Sequence, residues 1–355
     1  MPLLAVQIED LRCIRHAELQ LDPALTLISG PNAAGKTSIL EAIFYLGRGR
    51  SFRTRQIERL VRSGASGLTL IGHVAADPRP LVLGIHASKE GTEARMGGRP
   101  VASLADLATV FPVQVIDPNV HKLIEEGPSG RRRAMDWGVF HVEPAFAGDW
   151  QRFHRALKQR NAALRAQLPA DAIRAWDTEM VSAGTSLSIA RQRYVDALGP
   201  VLERLAEYLA DLDLAATLSR GWPIEEPLEA AVAKAWLQDI RVGTTTVGPH
   251  RADLRIRVGG FLARDRVSRG QQKLVAAALV LAQLELLKST SGRPGTLLLD
   301  DPAAELDKTR LQKLMQQVHQ LGAQVIATST ANTIEGLGTP GTTFHVEQGE
   351  VARML

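Results

Sequence analysis

Nine residues near the start of the chain have the types and spacing of a phosphate cradle. Gly30-Pro31-Asn32-Ala33-Ala34-Gly35-Lys36-Thr37 fits G-x-x-x-x-G-K-[ST], and Ser38 continues it. Glycines let the backbone curl around an anion, and successive N–H groups at a helix start point at it. Lys36 would neutralise the β- and γ-phosphates of ATP, and the Thr37 hydroxyl would be a ligand for Mg²⁺. Such chemistry also needs a carboxylate on a neighbouring strand. Thr296-Leu297-Leu298-Leu299-Asp300-Asp301 supplies two. Asp300 would hold the metal, directly or through water, and Asp301 is placed to orient or deprotonate an attacking water. Lys36 and Asp301 are thus the candidate catalytic residues.

Elements with the right character flank these residues. Leu25 to Ile28 is a continuous apolar run that stops at Ser29-Gly30, as suits a parallel strand covered on both faces. Ser38 to Ile43 opens a helix. Leu3 to Ile8, Ala17 to Leu21, 68–75 and 81–86 read as further strands, with turns at Asp77-Pro78 and Gly97-Gly98. From 119 to 240 helical spacing dominates (Trp150 to Leu168, Ile173 to Leu198, Val201 to Leu212), interrupted at Pro169, Gly199-Pro200 and Gly221-Trp222-Pro223. Strand character returns at Leu254 to Val258, Gly295 to Leu299 and Gln324 to Ala327. The expected architecture is one α/β core, 1–118 plus 241–355, interrupted by a mainly helical arm at 119–240. No internal repeat and no sustained heptad pattern is present, which excludes a long coiled coil.

Composition removes several classes. Cys13 is the only cysteine, so neither a disulfide framework nor a cysteine zinc site is available. The N-terminal residues lack a basic stretch followed by a long apolar run, unlike a signal peptide. Leu274 to Leu287 is interrupted by Gln283 and Glu285 and is short for a bilayer span. A cytoplasmic protein without a membrane partner is expected. Aromatic residues make up 5% of the chain, too few for a base-stacking platform.

The net charge of +4 hides opposed regions. Six arginines against Glu58 give 48–62 a charge of +5, while 131–165 carries +5, 241–273 carries +6 and 171–239 carries −6. Arg48, Arg50, Arg53 and Arg55, in a glycine- and serine-containing stretch beside the phosphate loop, are candidates for contact with the DNA backbone. Arg131, Arg132 and Arg133 are candidates too, although the same run could cap the arm against the core. A charge run is also compatible with a plain solvated face.

Between the two motifs, Ser268-Arg269-Gly270-Gln271-Gln272-Lys273 heads an apolar helix. A serine there suits an ordinary N-cap. Placed ahead of the carboxylate strand and of Glu305-Leu306-Asp307, however, it resembles the signature of ABC-type ATPases. That resemblance implies that Ser268, Arg269, Gly270 and Gln271 act in trans on the γ-phosphate held by an opposite subunit, and that Glu305 and Asp307 form a D-loop. Gln114, within Val113-Gln114-Val115-Ile116, is a candidate Q-loop glutamine or simply a strand residue.

Four further segments narrow the resemblance: Gly47 to Arg53, Arg131 to His141, Val247 to Leu254, and Ser268 to Lys273 with arginine where most ABC proteins have glycine. In this order they resemble the RecF family of bacterial DNA recombination and repair proteins, across Leu3 to Leu355. The resemblance implies a Rad50-like head without its coiled coil, an ATP-driven homodimer on DNA, and slow DNA-stimulated hydrolysis. It further implies partnership with RecR and RecO in loading RecA at gaps and stalled forks, and support of the SOS response. Two features depart from the wider ABC pattern. Thr328-Ser329-Thr330 carries no switch histidine, and Asp301 stands where a glutamate is usual. A transporter-coupled ATPase would need that histidine. A clamp that binds ATP without turnover would differ only in catalysis.

Overall fold

A computed structural model describes residues 2–304 and 306–354. The chain divides into two compact units, residues 1–120 with 279–355, and residues 121–278.

The first unit contains two six-stranded sheets. One holds Leu25–Ser29, flanked in parallel by Gln324–Ser329 and Thr342–Glu347. Thr296–Leu299 and Val113–Ile116 continue it in parallel, and Glu350–Met354 closes one edge antiparallel to Thr342–Glu347. The strands Leu25–Ser29, Thr296–Leu299 and Gln324–Ser329 are buried at every residue, which explains their mainly apolar sequences. The second sheet is antiparallel, ordered Ile14–Gln20, Leu3–Leu11, Gly67–Val74, Leu81–Ser88, Gly91–Met96 and Arg99–Pro100. The Gly97-Gly98 turn joins the last two of these strands. Their exposed faces carry little apolar signal, which is why sequence periodicity missed them.

Helix Lys36–Arg48 is the pin of this unit. Its Ile39, Leu40, Ile43 and Leu46 share one core with Leu3, Leu70 and Leu83 of the antiparallel sheet and Leu298 and Ile326 of the parallel one. The helix that follows the phosphate loop is therefore anchored through its apolar side chains.

The second unit is built on helices Pro128–Val142, Phe146–Arg165 and Asp177–Ala210, with a three-stranded sheet ordered Phe261–Leu262, Asp253–Val258 and Leu214–Ser219. One expectation changes here. The break at Gly199-Pro200 is absent: Asp177–Ala210 is one helix with Pro200 inside it. Leu198, Leu202 and Leu205 are buried on either side, so tertiary packing outweighs the lost backbone hydrogen bond. Beside its helices the segment 119–240 holds the strand Leu214–Ser219. Leu214–Ser219 pairs along its whole length with Asp253–Val258, which ties residues beyond 240 to the arm. The second compact unit runs from 121 to 278.

A buried ion pair organises this unit. Arg160 donates to Asp239 at 2.7 Å, both fully buried, and Arg160 Nε reaches Asp177 at 2.6 Å. Asp239 also accepts from the backbone N–H of Thr246 at 2.8 Å and from its hydroxyl at 2.6 Å. Asp239→Ala should lower the unfolding free energy by about 3 kcal/mol, because Arg160 would remain buried with less compensation. Urea denaturation of the intact chain checks this, and a change under 1 kcal/mol (about the value of an exposed pair) would contradict it.

Helix Arg269–Ser291 carries the chain from the second unit back into the first. By length and composition alone it could cross a membrane, the only such helix among the described residues. Leu274, Val275, Ala278, Leu279 and Leu284 are nonetheless buried at 0% exposure, so its apolar surface is spent on protein contacts.

Candidate phosphate and carboxylate site

The loop Gly30 to Gly35 leaves a buried strand and enters a buried helix start, so its backbone is held at both ends. Gly30 has φ 147°, and a Cβ there would lie 2.2 Å from the Val346 carbonyl oxygen. Gly35 has φ 117°, with Cys13 Sγ 3.0 Å from where its Cβ would be. Only glycine suits either position. Between them Ala33 also takes a left-handed conformation, φ 63°. The Lys36 ammonium donates to the carbonyls of Gly30 and Pro31, both at 2.8 Å. Burial lowers its pKa, opposed by Asp301 and Asp300.

Residues 263 positions apart meet next to it. The Thr37 hydroxyl lies 2.9 and 3.1 Å from the two oxygens of Asp300. Asp300 accepts a second hydroxyl hydrogen bond from Thr328 at 2.8 Å, and Thr328 in turn accepts from the Asp301 backbone N–H at 3.0 Å. Thr328 was missed as a site residue, since a threonine ending a strand carries no motif. Asp301 has φ 46°, a conformation rare for a non-glycine residue. Burial raises its carboxyl pKa, Lys36 opposes the shift and Asp300 adds to it. The assembly offers a backbone cradle, an ammonium, and two hard oxygen donors in contact. That donor set fits a triphosphate with Mg²⁺, which hydroxyl and carboxylate oxygens suit.

The other ATPase candidates lie elsewhere. Gln114 is buried and its amide donates to the Gln283 side chain at 2.8 Å, so it serves the packing of sheet against helix in this structure. Ser268 and Gln271 form a reciprocal pair: the Ser268 hydroxyl accepts from the Gln271 N–H at 3.3 Å, and the Gln271 side chain accepts from the Ser268 N–H at 3.0 Å. This is a capping box, so the N-cap reading of Ser268 is realised. Ser268, Arg269 and Gly270 remain exposed in the second unit, with Arg269 donating to His121 Nε2 at 3.0 Å. Glu305 lies outside the described residues. Asp307 caps helix Lys308–Leu321, accepting from the Arg310 N–H at 3.0 Å. Asp307→Ala should cost about 1 kcal/mol and Asp307→Asn almost nothing. Equal melting-temperature losses for the two would contradict the cap.

Comparison with known proteins bears directly on this arrangement. The family model described as "RecF/RecN/SMC N terminal domain" matches residues 2–350. The DNA replication and repair protein RecF of Shewanella loihica is 39% identical over 356 aligned positions, with 99% of each chain covered. RecF of Shewanella baltica OS155 is 40% identical over the same extent. This chain belongs to the RecF family. A solved structure of the recombination mediator RecF with ATP, from the RecFOR pathway, superposes with a TM-score of 0.90 at 25% identity, covering 100% of this chain and 98% of that one. An Smc head bound to a ScpA domain gives a TM-score of 0.61 at 15% identity, which shows shared fold alone. The RecF-family chain thus has the α/β fold of an ABC-type ATPase head.

Within this RecF-family fold the basic segments divide sharply. Arg131 is buried, forms a two-point pair with Asp253 at 2.9 and 3.0 Å, and donates to the carbonyls of Ile124 and Glu126. Arg132 donates to the Ala252 carbonyl at 2.6 Å, and burial with nearby Arg191 lowers its pKa. Both therefore brace the second unit, the structural role the sequence also allowed for this run; Arg133 is exposed. Burial also lowers Arg48, which stacks 5.5 Å over the Phe44 ring. Arg53 lies 3.7 Å from Glu41, a fully buried carboxylate that Arg12 and Ser51 also contact. Arg50, Arg55 and Arg59 are exposed. His250, held to the Thr245 carbonyl at 2.9 Å, is pushed by burial down to about 4, so it is neutral at physiological pH and adds no charge.

Proposed function

We propose that this chain binds ATP with Mg²⁺ in the Gly30–Ser38 loop, dimerises on DNA, and hydrolyses ATP slowly as a DNA-stimulated reset. The observation that carries this reading is the contact of Thr37 with Asp300, which joins the phosphate loop to the carboxylate strand. Thr37 and Asp300 would hold Mg²⁺, whose charge would offset the charge on the phosphate oxygens. Lys36 binds and neutralises phosphate oxygens, and Asp301, kept protonatable by burial, takes the proton of the attacking water. Ser268, Arg269, Gly270 and Gln271 form the surface that meets the triphosphate of a second copy, with Glu305 and Asp307 as the D-loop. Residues 1–118 with 241–355 act as the ATPase core, and 119–240 as the arm.

DNA contact is assigned to the exposed arginines Arg50, Arg55 and Arg133, with no base reading. In a cytoplasmic setting, the partners are RecR and RecO, and the outcome is RecA loading at gaps and stalled forks in recombinational repair, replication restart and SOS induction. Gel-shift affinity for duplex or gapped DNA should rise with ATP and fall steeply with salt. Absence of an ATP-dependent gain at moderate salt sinks the proposal. Ser268→Ala should leave ATP binding by the monomer intact while weakening the dimer in sedimentation; equal loss of both would rule out action in trans.

A further inference from the structure

The second unit contains a cavity of about 250 Å³ that the ATPase reading does not use. Arg131, Arg255, Arg257 and Arg264 line it, against the single carboxylate of Asp253. That carboxylate is already held by both forks of Arg131. Of the other three arginines, Arg257 donates to the Gly260 carbonyl at 2.7 Å, and Arg264 lies 3.4 Å from its exposed neighbour Asp265. Arg255 is exposed and makes no ion pair among the described residues. Four arginines and one carboxylate thus line one small space, and the carboxylate is matched by Arg131 alone, which leaves the lining with an excess of positive charge. Like charges held together in this way favour an anion.

The size and the floor of the cavity limit which anion. A volume of 250 Å³ is below the range of about 300–1,000 Å³ usual for whole small-molecule ligands. It suits one or two side chains better than a nucleotide. The floor is aliphatic: Ile124, Ile256 and Ala263 line it and are buried at 2%, 4% and 1% exposure. A free phosphate has no carbon to place there, and desolvating it against such a floor is unfavourable; a nucleic-acid backbone flanks each phosphate with polar sugars and has no branched aliphatic group to fill the floor. A peptide that carries carboxylates beside an apolar side chain satisfies both the rim and the floor.

We propose that this cavity is a docking pocket for an acidic peptide segment of a partner protein, with carboxylates on Arg255, Arg257 and Arg264 and an apolar side chain against Ile124, Ile256 and Ala263. The proposal stands apart from the ATP site and does not depend on turnover.

Fluorescence anisotropy of the intact chain with a labelled peptide Gly-Ser-Asp-Glu-Asp-Leu-Leu tests it. Saturable binding with a Kd below about 1 mM is expected. Replacing the acids by Asn-Gln-Asn, or the two leucines by glycines, should weaken binding about tenfold or more. The exposed pair Arg255→Ala with Arg264→Ala should do the same while leaving the melting temperature unchanged; Arg255→Gln alone provides a second, milder variant. No saturation, indifference to these variants, or a leucine-independent affinity would each overturn the proposal. Displacement by a duplex oligonucleotide or by inorganic phosphate as effective as by unlabelled peptide would also overturn it, assigning the arginines to phosphate instead.

Discussion

Lys36→Ala should abolish ATP-dependent dimerisation and weaken ATP binding by about 10- to 100-fold, the loss expected for a charge-assisted contact. The side chain is 7% exposed and lies against the carbonyls of the loop it serves. The fold should survive, because the loop shape is set by Gly30 and Gly35 and the following helix by its apolar core. Lys36→Met keeps the volume of the stem without the charge and should behave like the alanine variant. Sedimentation with and without ATP measures the dimer, and nucleotide titration measures the monomer. A dimer formed as readily by Lys36→Ala as by the unaltered chain would remove the central claim about this loop.

Asp301→Asn should reduce turnover by about 10²- to 10⁴-fold while changing ATP affinity only a few-fold, as expected when a general base is removed. The pH dependence gives an independent test. A base acts when deprotonated, and burial, with Asp300, moves the Asp301 carboxyl upward. Turnover should therefore rise with pH along a limb above the ordinary aspartate value of about 3.9. The limb should vanish in Asp301→Asn. Single-turnover hydrolysis across pH, with and without DNA, distinguishes a lost chemical step from altered binding. A variant within threefold of the unaltered rate would favour a clamp that uses ATP binding alone.

Much of the site was legible as local pattern. Gly30 to Ser38 declares itself because a phosphate cradle needs glycine at fixed offsets and a lysine and threonine at the helix start. Leu25–Ser29, Thr296–Leu299 and Gln324–Ser329 are legible because a strand buried on both faces is mainly apolar, with its few polar residues near its ends or hydrogen-bonded. Their pairing order is not, since identical apolar runs are interchangeable until the connections and the packing choose neighbours. The surface strands Gly91–Met96 and Arg99–Pro100 and the unbroken helix through Pro200 were hidden for the opposite reason: local signals there are weak, or are overruled by burial.

The same division holds for charge. Sequence established that arginine is concentrated in three stretches, but it could not say which arginines are spent. Arg131 and Arg48 differ from Arg50 and Arg55 only in what surrounds them after folding. A buried guanidinium must be compensated within the protein, as Arg131 is by Asp253, whereas an exposed one keeps water around it. By itself the sequence determined the phosphate loop, the carboxylate strand and their order along the chain, because those functions depend on backbone freedom and residue type at short range. Only the tertiary structure decided that Thr37, Asp300 and Thr328 share one hydrogen-bonded cluster and that four arginines line one cavity. Contacts between residues far apart in the chain are set by packing of the whole core, and no local spacing encodes them.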